Sequence, residues 1–152
     1  AVAGRRVQLV VGDLSTVAST RAQAPALQDA SPTVDAVVHN AGVWPAARAL
    51  NEDGLETAFA VNHVAPFVLN HLLEARLAAS GARVVQVSAG LYVKGHVDLA
   101  RTPTGEDFHA IRTYASTKLA NLLVGGPARA LDLGAELLDE GAERLHLSAT
   151  FG

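Results

Sequence analysis

The chain has 152 residues and a net charge of −3, with 49% hydrophobic and 18% charged residues and no cysteine. That length suits one globular domain (residues 1–152), the acid-leaning balance offers no basic face for nucleic acid, and no apolar run nears the ~20 residues that span a bilayer, so a soluble, cytoplasmic protein without membrane or nucleic-acid partners is expected. Disulfides, zinc–cysteine sites and thiol catalysis are excluded.

The first expected element is a buried β-branched strand over Val7–Val11, closed by the turn Gly12-Asp13. Ser15 is the expected N-cap of a helix through Val17, Arg21 and Leu27, with Pro25 bending or ending it early and Pro32-Thr33 resetting the chain. Val34–Val38 is a second buried strand that runs into the polar turn His39-Asn40-Ala41-Gly42. Strand, helix and strand in that order imply parallel pairing, with ligands beyond the carboxyl ends of the strands, where Asp13, Asn40 and Gly42 fall.

Asn51, followed by Glu52 and Asp53, is the expected N-cap of a long helix reaching about Ala79 and stopped by Gly81. Pro66 inside it has no N–H, so the Asn62 carbonyl loses its helical partner and becomes available to a water molecule. A third buried strand, Arg83–Val87, ends at Ser88-Ala89-Gly90, and residues 91–112 read as a loop or lid over that edge. A helix follows over Tyr114–Leu123. Gly125-Gly126-Pro127 breaks it, Ala128–Leu138 is again helical, and Leu145–Ala149 is a closing strand.

The helix over 114–123 carries Tyr114 and Lys118, four residues apart and so on one face. A cation beside a phenol favours the phenolate and hence proton exchange with a carbonyl oxygen. With two tyrosines and two lysines in the chain, roughly 0.03 accidental Tyr-x-x-x-Lys pairs are expected, so chance explains this one poorly. The six histidines form no His-x-x-x-His or glutamate-adjacent zinc motif, and no metal site is expected. His39 lies at the ligand edge. Trp44-Pro45 either caps a substrate mouth or closes the core under a loop.

Asp13-Leu14 after one strand, Asn40-Ala41-Gly42 after the next, Asn62 in a long helix, Ser88 after a third strand, then Tyr114 and Lys118: this order resembles the short-chain dehydrogenase/reductase superfamily. Val61-Asn62-His63 and Leu119-Ala120-Asn121 are similar to its retinol-dehydrogenase-like branch. The resemblance implies an α/β, Rossmann-like doubly wound parallel sheet and hydride transfer between NAD or NADP and a small-molecule alcohol or ketone. It implies Tyr114 as proton donor and acceptor, with Lys118 supporting it and bonding the nicotinamide ribose. Asn62 would hold the water of a proton relay, and Ser88 would orient the substrate one residue out of the family's register, where Ala89 stands. Asp13, Leu14, Asn40, Ala41, Gly42, Tyr114 and Lys118 would line the cofactor cleft, and the family's homodimer would use the helices at 51–79 and 114–123.

Only six residues precede the first expected strand, whereas a βαβ unit takes roughly 30. The sheet is therefore expected to be incomplete on its N-terminal side, without the family's glycine-rich phosphate loop. The alternative reading is a catalytically silent fragment or nucleotide-sensing module, or a piece of a longer protein. Ser148–Gly152 stands where the family has a proline-glycine turn.

Overall fold

A computed structural model describes residues 7–124. The expected break at Gly125-Gly126-Pro127, the helix at 128–138, the closing strand at 145–149 and the tail 148–152 lie outside the described residues.

The sheet has two parallel strands, β1 (Ala36–His39) and β2 (Arg83–Gln86), in the register Ala36 with Arg83 through His39 with Gln86. Both were expected, each within a residue or two. Neither is buried as expected. Val38 is 58% exposed and Val85 45%, because two strands cannot cover both faces of a sheet. Val7–Val11 forms no strand at all. Its Val7, Leu9 and Val11 are more than 80% exposed, and an extended segment with no neighbour to take its N–H and C=O groups gains no ladder.

α1 (Val17–Ala22) is capped by Thr16, not Ser15: the Thr16 hydroxyl accepts from the Ser19 N–H, and the Ser19 hydroxyl accepts from the Thr16 N–H in return. Ser15 instead donates to Asp13. Pro25 does not bend this helix; it lies in the first turn of α2 (Ala24–Ala30), where its missing N–H costs nothing.

The long helix also begins later than expected. The Asn51 carboxamide accepts from the N–H groups of Asp53 and Leu55, and so closes the turn ahead of the helix. The Asp53 carboxylate accepts from the Val17 N–H, so this acid serves the start of α1 instead. The helical run opens with α3 (Thr57–Phe59) and Glu56 as N-cap, whose fully buried carboxylate accepts from the Phe59 N–H. A π-helical turn over Ala60–Val64 follows, then α4 (Ala65–Ser80), which ends at Gly81 in the left-handed conformation (φ 60°) as its position after the helix demands. The core sits on this run. Leu55, Phe59, Ala60, Val64 and Val68 form one buried cluster, with Val17 of α1 and Leu72 packed on it.

Residues 91–112 are the loop the sequence suggests, mostly exposed or half-buried and anchored at one point to the helical run. A 3₁₀ helix (Gly90–Lys94) leads into successive turns, where Thr102, Pro103 and Gly105 are buried and the Pro103 carbonyl accepts from the Glu56 N–H. The last described helix, α5 (Ala110–Val124), starts four residues before Tyr114 and lies against the 3₁₀ helix, α3 and the π-turn.

Candidate active site

Tyr114 and Lys118 share a face of α5, and the Lys118 Nζ stands 5.5 Å from the Tyr114 ring centroid. The Lys118 side chain is buried, and its ammonium donates to the Val87 carbonyl at 3.0 Å, just past the end of β2. Burial disfavours the charged form and holds the Lys118 pKa below the ordinary lysine value. An ammonium carries three donors, and Val87 takes one.

Asn62 comes from the π-turn. Its side-chain Oδ1 accepts from the Val43 N–H at 2.7 Å, while Nδ2 donates to the Val43 carbonyl at 2.9 Å and to Thr117 Oγ1 at 3.1 Å. The carboxamide thus clamps the loop after β1 from both sides and ties it to α5, where Thr117 in turn donates to the Tyr114 carbonyl at 2.7 Å. Gly42 sits in the resulting corner. A Cβ there would lie 3.2 Å from Asn62 Oδ1 and 3.5 Å from Lys118 Nζ, so glycine leaves a space walled by a carboxamide and an ammonium.

The Asn62 carbonyl freed by Pro66 meets a donor that the proline alone did not announce, Asn121 Nδ2 at 2.8 Å, which takes one of its two lone pairs and leaves the other for a water. Trp44, whose role the sequence leaves open, stacks on Tyr114 with centroids 4.8 Å apart and planes inclined by 12°. Its Nε1 donates to the Ala110 carbonyl at 2.9 Å, anchoring the indole to the first turn of α5.

The fold brings Gly42, Asn62, Tyr114 and Lys118 together, with Asn40 and Ala41 exposed on the approach from β1. Ser88 turns to the main chain: its hydroxyl donates to the Lys118 carbonyl at 3.4 Å. Asp13 and Leu14 lie on the loop before α1. Both Asp13 carboxylate oxygens are taken by Ser15, whose hydroxyl and N–H hold its pKa below the usual carboxylate value. His39 pairs with α4 instead, its Nε2 lying 2.7 Å from Asn70 Oδ1. Among the described residues no three His, Cys, Asp or Glu side chains gather as metal ligands, and no helix is long and apolar enough to cross a membrane. Reading the sequence missed Thr117, whose hydroxyl carries no spacing signal; only the meeting of two helices reveals it.

The family model for short chain dehydrogenase matches residues 1–101. Dehydrogenase/reductase SDR family member 13 of Bos taurus is 39% identical over 114 residues, covering 73% of this chain and 30% of that protein. Retinol dehydrogenase 14 of Mus musculus is 36% identical over 119 residues, covering 76% of this chain and 36% of the relative. The chain thus spans about a third of the length of these curated relatives. Among solved structures, an uncharacterized protein from Mycobacterium Paratuberculosis superposes with a TM-score of 0.60 at 30% identity, over 74% of this chain and 40% of that one. A metagenomic short-chain oxidoreductase solved in complex with NADP shares the fold, with a TM-score of 0.58 at 22% identity over 87% of this chain and 57% of that one.

Proposed function

This chain belongs to the short-chain dehydrogenase family, and we propose that it carries the proton-handling side of an oxidoreductase site that works with NAD or NADP on a small-molecule alcohol or carbonyl compound. One observation carries the reading: the Lys118 ammonium lies over the Tyr114 ring, beside the corner at Gly42 that a Cβ would fill against Asn62.

The residues present fit a nicotinamide cofactor. Gly42 keeps open a corner that a Cβ would narrow, and the Lys118 ammonium, with one donor on Val87, has others suited to ribose hydroxyls. When bound, the nicotinamide supplies or accepts the hydride. The phenol of Tyr114 gives a proton to the carbonyl oxygen in reduction and takes it from the alcohol in oxidation. Lys118 lends positive charge where the phenolate forms. Asn62 fixes the loop after β1 and, through Thr117, its height relative to Tyr114. Trp44 holds the phenol ring by stacking and limits which faces a substrate can approach.

Trp44 is the sole tryptophan, so its emission reports on this site alone. Titration with NADPH and NADH is expected to quench Trp44, with energy transfer to the reduced nicotinamide. Tyr114→Phe is expected to keep that quenching while losing on the order of 10²–10⁴ in turnover, the usual share of a general acid. Turnover in Tyr114→Phe equal to that of the unaltered protein would remove Tyr114 from the reaction.

A further inference from the structure

Pro66 leaves the Asn62 carbonyl without the N–H that an α-helix would bring to it four residues on. The π-turn over Ala60–Val64 lies at the same place, with the Ala65 N–H bonded to the Ala60 carbonyl. An acceptor stripped of its partner at a buried residue is costly, and Asn62 is 1% exposed. The donor that reaches it comes from the other helix: Asn121 Nδ2, at 2.8 Å, on a side chain that is itself 4% exposed.

That bond decides more than its own pairing. A carbonyl can only accept, so the carboxamide of Asn121 must turn its NH₂ toward Asn62; the flipped amide would set two oxygens against each other. The Asn121 Oδ1 is then directed away, and His63 Nδ1 lies 2.8 Å from it. An amide oxygen can only accept as well. His63 must therefore carry its proton on Nδ1, leaving Nε2 unprotonated in the neutral ring. The ring is held on its other side by Phe59, with centroids 5.1 Å apart. Burial also favours the neutral ring, holding the His63 pKa below the ordinary histidine value against the opposing pull of the Asn121 bond.

We infer that Asn121 is a positioning residue that takes the carbonyl freed by Pro66 and, in the same geometry, locks His63 as the Nδ1–H tautomer, so that α5 meets the π-turn at one fixed height. Asn121 touches no reacting group. It acts through Asn62, whose side chain clamps Val43 and reaches Thr117, and thereby sets Tyr114 and Lys118 against the loop after β1. The consequence for catalysis rests on the function proposed above; the tautomer and the pairing do not.

The first test needs no activity. In ¹⁵N-labelled protein at neutral pH, long-range proton–nitrogen correlation is expected to show His63 with a protonated Nδ1 and an unprotonated Nε2. A His63 protonated on Nε2, or averaging between tautomers, overturns the inference. The second test is a double-mutant cycle with Pro66→Ala, which returns an N–H to the helix beneath the Asn62 carbonyl. Asn121→Ala alone is expected to lower Tm, and Pro66→Ala is expected to restore most of that loss in the Asn121→Ala background while adding little to the unaltered protein. Equal effects of Pro66→Ala in both backgrounds overturn the assigned pairing. If Asn121→Ala does not fold, the spectrum of the unaltered protein still decides. With a substrate in hand, Asn121→Ala is expected to lower kcat at least tenfold with KM for the cofactor nearly unchanged, and Pro66→Ala to recover part of it. The predicted tautomer and cycle without any turnover would leave the positioning intact and count against the proposed reaction alone.

Discussion

Gly95 offers a perturbation in which conformation and space point in opposite directions. Its backbone angles, φ −73° and ψ 149°, are ordinary extended values open to any residue, so dihedral reasoning permits alanine there. Space does not. A Cβ at Gly95 would stand 2.7 Å from the Ala115 carbonyl oxygen, 2.9 Å from its carbon and 3.0 Å from Leu119 Cβ. Carbon contacts are optimal near 3.5–4.0 Å, so the overlap is roughly 0.5–1 Å. Neither side yields easily. Ala115 is fully buried, and α5 is fixed nearby by the Ser116 hydroxyl, which donates to the His96 carbonyl at 2.6 Å and accepts from its N–H at 3.0 Å. Overpacking of this kind costs about 1–3 kcal/mol. In a chain of this length each kcal/mol lowers Tm by about 2–4 °C, so Gly95→Ala is expected to melt roughly 2–12 °C below the unaltered protein. Gly90→Ala is the control, because nothing lies within 4 Å of its Cβ. There the alanine restricts the unfolded chain and is expected to be neutral or stabilising by up to about 1 kcal/mol. Thermal melts of both variants, followed by circular dichroism, decide the matter. A Gly95→Ala melt at or above that of Gly90→Ala would refute the close approach of the 3₁₀ helix to α5, and with it the support beneath Tyr114.

Two further outcomes follow from the same geometry. Asn62→Leu keeps the branched shape, with somewhat larger methyl groups, but removes the bonds to the Val43 N–H, the Val43 carbonyl and Thr117 Oγ1; at about 0.5–1.5 kcal/mol per bond, it is expected to cost about 1.5–4.5 kcal/mol in urea unfolding, and a loss under about 0.5 kcal/mol would contradict the clamp. Stability is also expected to depend on pH through His63 and His39, both held by burial below the ordinary histidine value of 6.5. Below that value the unfolded chain takes up protons that the folded rings refuse, so stability is full above about pH 6.5 and falls as pH drops toward the folded values. Asp13, whose pKa is lowered from 3.8, acts only in the more acid range. Urea midpoints that stay flat or rise between pH 7.5 and 5.5 would contradict the burial of both rings.

The residue types and spacing of the sequence were enough for the strands at Val34–Val38 and Arg83–Val87, the end of α4 at Gly81, and the face shared by Tyr114 and Lys118, because each is a local matter of a β-branched run, left-handed glycine or helical periodicity; the parallel pairing expected between Val7–Val11 and Val34–Val38 forms instead between β1 and β2. Asn62 and Gly42 were legible for the same reason, one marked by a proline four residues on and the other by the turn it closes. What the sequence misjudged needs a second element to judge. Val7–Val11 has the composition of a strand, but a strand exists only with a neighbour to take its hydrogen bonds. Asn51 and Asp53 look like the start of their own helix, and in the folded chain Asp53 caps α1, 36 residues back. Most of all, Pro66 declares that the Asn62 carbonyl is free, while nothing local says what comes to it. The answer, Asn121, lies 59 residues away on α5, and tertiary packing alone could supply it.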